Sequence, residues 1–127
     1  MEKMVNIVPF NLVKTDERGV TSDFSLCRPQ AQFMFFTRKD GSLSGNTYHE
    51  GKNSGTSPKA FILLSGKLYL NYRKVGTSQK FQNLVTAPAI IEVQPLVIHN
   101  FEAIEDITFI ECNSLQDLQD DKIKEIV

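Results

Sequence analysis

The sequence predicts an all-β sandwich or barrel that ends in one short C-terminal helix. Three observations carry this expectation. Short segments rich in β-branched and aromatic residues follow one another about every ten residues, each bounded by Gly, Pro, Asn or Ser. The run Lys67 to Arg73 alternates strictly between polar and apolar, the mark of a strand with one buried and one wet face. Nothing with helical periodicity occurs before Ser114.

The elements follow in order. Val5–Phe10 is apolar enough to lie at a sheet edge and join the sheet of a second copy, so a homodimer is expected. Gln32–Thr37 holds the apolar run Phe33, Met34, Phe35 and Phe36, expected in the core or at a dimer seam, and Arg38-Lys39-Asp40-Gly41 reads as a turn of mixed charge without a role. Glu50–Pro58, rich in Gly, Ser, Asn and Thr, reads as a flexible loop. Strands are then expected over Ala60–Leu64, Lys67–Arg73, Lys80–Val85, Ala89–Val93, Leu96–Phe101 and Ile107–Cys112. Period two puts Leu68, Leu70 and Tyr72 on one face, and likewise Val97, His99 and Phe101. Ser114 caps the helix with Asp117 in the capping-box position, and Leu115, Leu118, Ile123 and Ile126 form its apolar stripe.

Composition excludes several functions. With 127 residues and 41% hydrophobic content, the chain suits one domain, residues 1–127, with a core of its own. A net charge of -1 with Lys and Arg scattered among acids offers no basic stripe for nucleic acid. No run reaches the roughly 20 apolar residues that cross a bilayer, and Met1-Glu2-Lys3-Met4 lacks a signal's apolar core. A cytoplasmic protein without membrane contact is expected. Cys27 and Cys112 match neither a redox pair nor a disulfide framework and read as reduced thiols.

Histidine occurs twice, each time where a predicted strand meets a turn: His49 in Gly45-Asn46-Thr47-Tyr48-His49-Glu50, and His99 in Pro95-Leu96-Val97-Ile98-His99-Asn100. With Leu64-Ser65-Gly66-Lys67 between them, this order resembles the cupin superfamily. Within it the chain is most similar to the sugar-nucleotide branch: dTDP-4-dehydrorhamnose 3,5-epimerases, dTDP-sugar 3,4-ketoisomerases and the cupin domains of capsular-polysaccharide epimerases. The likeness spans Arg18 to Ser114 and implies a double-stranded β-helix, the jelly-roll barrel. Cupins of the general pattern bind a divalent metal through two histidines, a glutamate and a later histidine. Here Thr47 fills the first histidine slot, His49 the second, Lys59 the glutamate slot and His99 the last. A Lys ammonium beside a divalent cation is repelled by several kcal/mol even at an effective dielectric of about 20, so neither a metal nor another cofactor is expected.

The resemblance implies an epimerase or ketoisomerase that transfers a proton next to a ketone of a nucleotide-linked sugar in cell-surface polysaccharide biosynthesis. His49 would be the base and Tyr72 the acid. His99, Lys59 and Thr47 would bind the substrate, with Lys59 stabilising the enolate. Where the ketoisomerase pattern has an Arg before the glycine, this chain has Ser44. A second reading is therefore a non-catalytic binder of a sugar or anion with a degenerate metal site.

Overall fold

The computed structural model describes residues 3–127; Met1 and Glu2, which begin the stretch read for a signal, lie outside the described residues. Two five-stranded antiparallel sheets form the body. In the first the order is β1 (Val5–Pro9), β9 (Ala89–Val93), β6 (Lys59–Ser65), β11 (Ile107–Glu111) and β4 (Met34–Arg38). In the second it is β12 (Ile123–Lys124), β5 (Leu43–Tyr48), β10 (Val97–Ala103), β7 (Lys67–Lys74) and β8 (Phe81–Thr86). Sequence neighbours are mostly not sheet neighbours, so the chain crosses repeatedly between sheets, as a jelly roll requires. A separate ribbon pairs β2 (Asn11–Asp16) with β3 (Gly19–Asp23).

The core lies between the two sheets. Leu63 of β6, Leu68 and Leu70 of β7, and Val97 of β10 are fully buried, as period two requires for inward positions. Across the gap the Phe61 ring meets Phe101 at 4.8 Å and Phe101 meets Phe109 at 5.3 Å, both edge to face. Gly66 turns β6 into β7 at φ +86, and a Cβ there would stand 2.3 Å from the Asp106 carbonyl oxygen, so only glycine fits.

The expected strands recur with small shifts of their ends, and the strand expected to end at His49 is β5. The β2–β3 ribbon and the two-residue β12 are new. β1 pairs in full with β9 of its own chain, and no strand among the described residues pairs with its outer edge. The run Phe33–Phe36 is not a continuous core block: Phe36 stacks on Phe109 inside while Phe35 is exposed.

Helix α1 (Leu115–Asp120) has the expected capping box, with Ser114 Oγ accepting from the Asp117 amide at 3.1 Å. The expected stripe fails. Leu115 and Ile126 are exposed, and Ile123 leaves the helix to pair with Tyr48 as part of β12. No helix among the described residues is long and apolar enough to cross a membrane.

Candidate active site

β5 and β10 build the histidine pair. Their register slips between His99, opposite Thr47, and Asn100, opposite Gly45, so Asn46 bulges out at φ +58. The close approach of the strands requires Gly45, since a Cβ there would meet the His99 carbonyl oxygen at 3.0 Å. Asn100 Nδ2 holds the bulge by donating to Asn46 Oδ1 at 2.9 Å. His49 follows β5 directly and its ring centroid lies 5.9 Å from that of His99.

Each imidazole is oriented by a backbone carbonyl. His99 Nδ1 donates to Val97 O at 3.1 Å, and His49 Nδ1 donates to the carbonyl of Asp121. This assigns the lone pair to Nε2 in both rings, and neither Nε2 has a hydrogen-bond partner among the described residues. Burial pushes the His99 imidazolium down to about 3, so the ring is neutral at physiological pH. Burial also lowers His49, against the raising effect of its bond to Asp121.

Asp121 organises the loop after β5. Its carboxylate accepts three successive backbone amides, Glu50 at 2.8 Å, Gly51 at 2.9 Å and Lys52 at 2.8 Å, and the Thr56 hydroxyl at 2.7 Å. Burial would raise this carboxyl, but the four donors outweigh it and hold it below the usual value. Asn113 Nδ2 and Arg28 Nη2 both donate to Gly55 O, at 2.7 and 3.0 Å. The segment expected to be a flexible loop is thus fastened along its length and includes a single 3₁₀ turn at Ser54–Thr56.

A cavity of about 110 Å³ opens beside His99. Its walls are the rings of Phe36, Phe61, Phe101 and Phe109, and its polar lining is His99, Ser44, Arg38, Glu111 and Lys122. Of the residues expected at the site, His99 alone lines this space. Thr47 is buried beside it, opposite in register, and His49 adjoins through the ring contact. Two expectations need correction. Lys59 is not a free cation at the mouth: it is 1% exposed, bonded to Asn113 Oδ1 and 3.4 Å from Glu111 Oε1, because every residue at its end of β6 is buried. Burial draws its ammonium down to about 8 in spite of Glu111. Tyr72, although opposite His99 in register, donates its hydroxyl to Asn83 Oδ1 at 2.9 Å and lines a different cavity with Val5, Ile7 and Phe81.

Arg38, Glu111, Lys122 and Asp121 are the site residues that the sequence reading missed. Arg38 is not in a turn; it is the inward-facing end of β4, on the face of Met34 and Phe36. The metal that the resemblance to cupins implies does not fit here. The glutamate slot holds a buried ammonium, and no three His, Cys, Asp or Glu residues among the described ones converge as ligands. Cys27 and Cys112 are both free thiols, and burial pushes Cys112 up to about 11, far from reactivity.

Residues 14–122 match the family model described as the polysaccharide biosynthesis C-terminal domain. The chain belongs to that family. No curated protein sequence matches it. Solved structures give the fold. The 3,4-ketoisomerase QdtA of Thermoanaerobacterium thermosaccharolyticum, a double mutant in complex with TDP, superposes with a TM-score of 0.76 at 16% identity over 98% of this chain and 90% of its own. RmlC of Legionella pneumophila, a dTDP-6-deoxy-D-glucose-3,5-epimerase, gives 0.68 at 14% identity over 94% and 71%. The capsular polysaccharide assembling protein CapF of Staphylococcus aureus gives 0.64 at 22% identity over 94% of this chain and 35% of CapF. The architecture is the cupin jelly roll that these structures share.

Proposed function

We propose that this cupin domain binds a nucleotide-linked keto-sugar and moves a proton next to its ketone, as an epimerase or ketoisomerase of cell-surface polysaccharide biosynthesis. The observation that carries the reading is the imidazole pair: two rings 5.9 Å apart, each with Nδ1 fixed on a carbonyl, beside an aromatic cavity. His99, near pKa 3, is too weak a base for carbon acids and serves as a neutral hydrogen-bonding group. That leaves His49 as the base, with Thr47 packed in the same layer. Lys59 acts at one remove, holding Glu111 at the cavity wall, and stabilisation of the developing enolate falls to the polar lining.

The family match and the relatives QdtA, solved with TDP, and RmlC, solved with a dTDP-sugar, support this ligand class. A second reading, a binder without catalysis, is favoured by two observations. His49 is not among the residues lining the cavity, and the Tyr72 hydroxyl is engaged elsewhere. A homodimer in the cytoplasm is part of the proposal, the dimer being supported by the open edge of β1 and the exposed Leu12, Val13 and Val20 of the ribbon.

Deuterium exchange decides between the readings. A 4-keto-6-deoxy sugar nucleotide incubated with the protein in D2O should gain deuterium at the carbon next to the ketone, and His49→Asn should slow this by about 10² to 10⁴. Tight binding without exchange establishes the non-catalytic reading; exchange unchanged in His49→Asn removes His49 as the base.

A further inference from the structure

We propose that Arg38 and Lys122 form a clasp for a phosphoryl anion at the His99 cavity. The proposal deepens the nucleotide-sugar reading and rests on it for the identity of the ligand, but not for the anion.

The Arg38 guanidinium is fixed before any ligand arrives. Its Nε donates to Ser44 Oγ at 3.0 Å, its Nη1 donates to Thr37 O at 2.9 Å, and its plane lies over the Phe36 ring at 4.9 Å. Nη2 has no partner among the described residues, so the residue that lines the cavity keeps unused guanidinium donors. A guanidinium already held by two of its nitrogens loses little freedom when the remaining donors bind an anion. Lys122 lines the same cavity without an ion-pair partner among the described residues, carried there by the Asp121 anchor one position earlier.

Charge selects the ligand. The single carboxylate on the cavity wall among the described residues, Glu111, faces the buried Lys59 ammonium at 3.4 Å and is offset by it, and His99 is neutral. Arg38 and Lys122 therefore leave a surplus of two positive charges around an apolar-walled space, which suits a dianion. Size selects how it sits. A space of about 110 Å³ is well below the roughly 300–1,000 Å³ of a pocket that encloses a whole small ligand, so one end of a ligand enters and the rest must extend outward. A diphosphate linking a sugar to a nucleoside has this shape, with charge in its middle.

Titration calorimetry of the full chain with inorganic pyrophosphate, TDP and thymidine tests the clasp. Pyrophosphate and TDP should bind and thymidine should bind far more weakly. Arg38→Gln should weaken TDP about 10- to 100-fold and Lys122→Gln about 3- to 10-fold, each with a shallower dependence on salt. Lys39→Gln, the same charge change outside the cavity, should leave affinity unaltered. Arg38→Lys should fall between, because a lysine cannot keep both anchors and still offer a planar edge. Should Arg38→Gln not fold, the exposed Lys122→Gln and Arg38→Lys decide. TDP binding that survives all three variants overturns the clasp while leaving the nucleotide-sugar reading intact. Pyrophosphate binding that depends on Arg38 without any affinity for TDP upholds the clasp and overturns that reading. Binding of neither pyrophosphate nor TDP by the unaltered protein overturns both.

Discussion

Acidification from pH 7 to pH 5 should cost this protein about 2 kcal/mol of stability through His99 alone. Burial holds the native imidazole near pKa 3, against 6.5 for the unfolded chain. A depressed pKa means that the native state prefers the neutral ring, so the contribution is present in full above 6.5 and is lost as pH falls towards 3. At pH 5 nearly every unfolded chain has taken up the proton and almost no native one has. Integrating the difference in bound protons from pH 7 to 5 gives about 2 kcal/mol. His49 is shifted in the same direction and adds to the loss. Lys59, near 8 when folded and 10.5 otherwise, is protonated in both states across this range and drops out. Urea unfolding at both pH values, on the unaltered protein and on His99→Gln, isolates the His99 share, and an NMR titration of the ring protons reads its native pKa. A native midpoint above pH 5.5, or an equal loss in His99→Gln, refutes the argument.

Two further outcomes follow from the site's buried charges. Asp121→Asn turns an amide donor towards an amide donor and removes charge from the bonds that remain, which should cost about 2–4 kcal/mol and lower Tm by on the order of 10 °C. The penalty, read by calorimetry, should shrink as pH falls below the ordinary carboxylate range, because the lowered Asp121 carboxyl contributes only above it. Lys59→Met strands Glu111 and should cost about 3–5 kcal/mol in urea titration, whereas Lys59→Met with Glu111→Leu should recover most of it; equal losses in the two variants would show that the pair is uncoupled.

The barrel was legible because its inward strands alternate. Leu68, Leu70 and Tyr72, or Val97, His99 and Phe101, announce a buried face by spacing alone. β5 carries no such signal: Ser44, Gly45, Asn46 and Thr47 are polar or small, and pairing with β10 through a bulge is what makes them a strand. The β2–β3 ribbon was invisible, since it buries neither face and so has no pattern to show. At the site, both histidines were legible from their position in a known order of elements. Arg38 was not, because the run Phe33–Phe36 hides which parity points inward; once Met34 and Phe36 are known to face the core, Arg38 must do so too. The burial of Lys59 was not legible either, because no alternation marks an end of β6 at which every residue is enclosed. Asp121 and Lys122 belong to the site only because the chain returns to it after a separation of 71 and 73 positions from Glu50 and His49, and no local pattern records that return.

That return gives the site a stability separate from that of the barrel. The His49 loop is held by a segment made of one short helix and a two-residue strand, which pairs only with β5, while the strands behind it are locked into two full sheets. Such a segment opens in local excursions that leave the rest of the protein folded. Each excursion releases the amides of Glu50, Gly51 and Lys52, frees the His49 ring from its carbonyl and withdraws Lys122 from the cavity. The segment is thus a cover whose free energy of opening, rather than that of global unfolding, sets how often the imidazole pair is assembled.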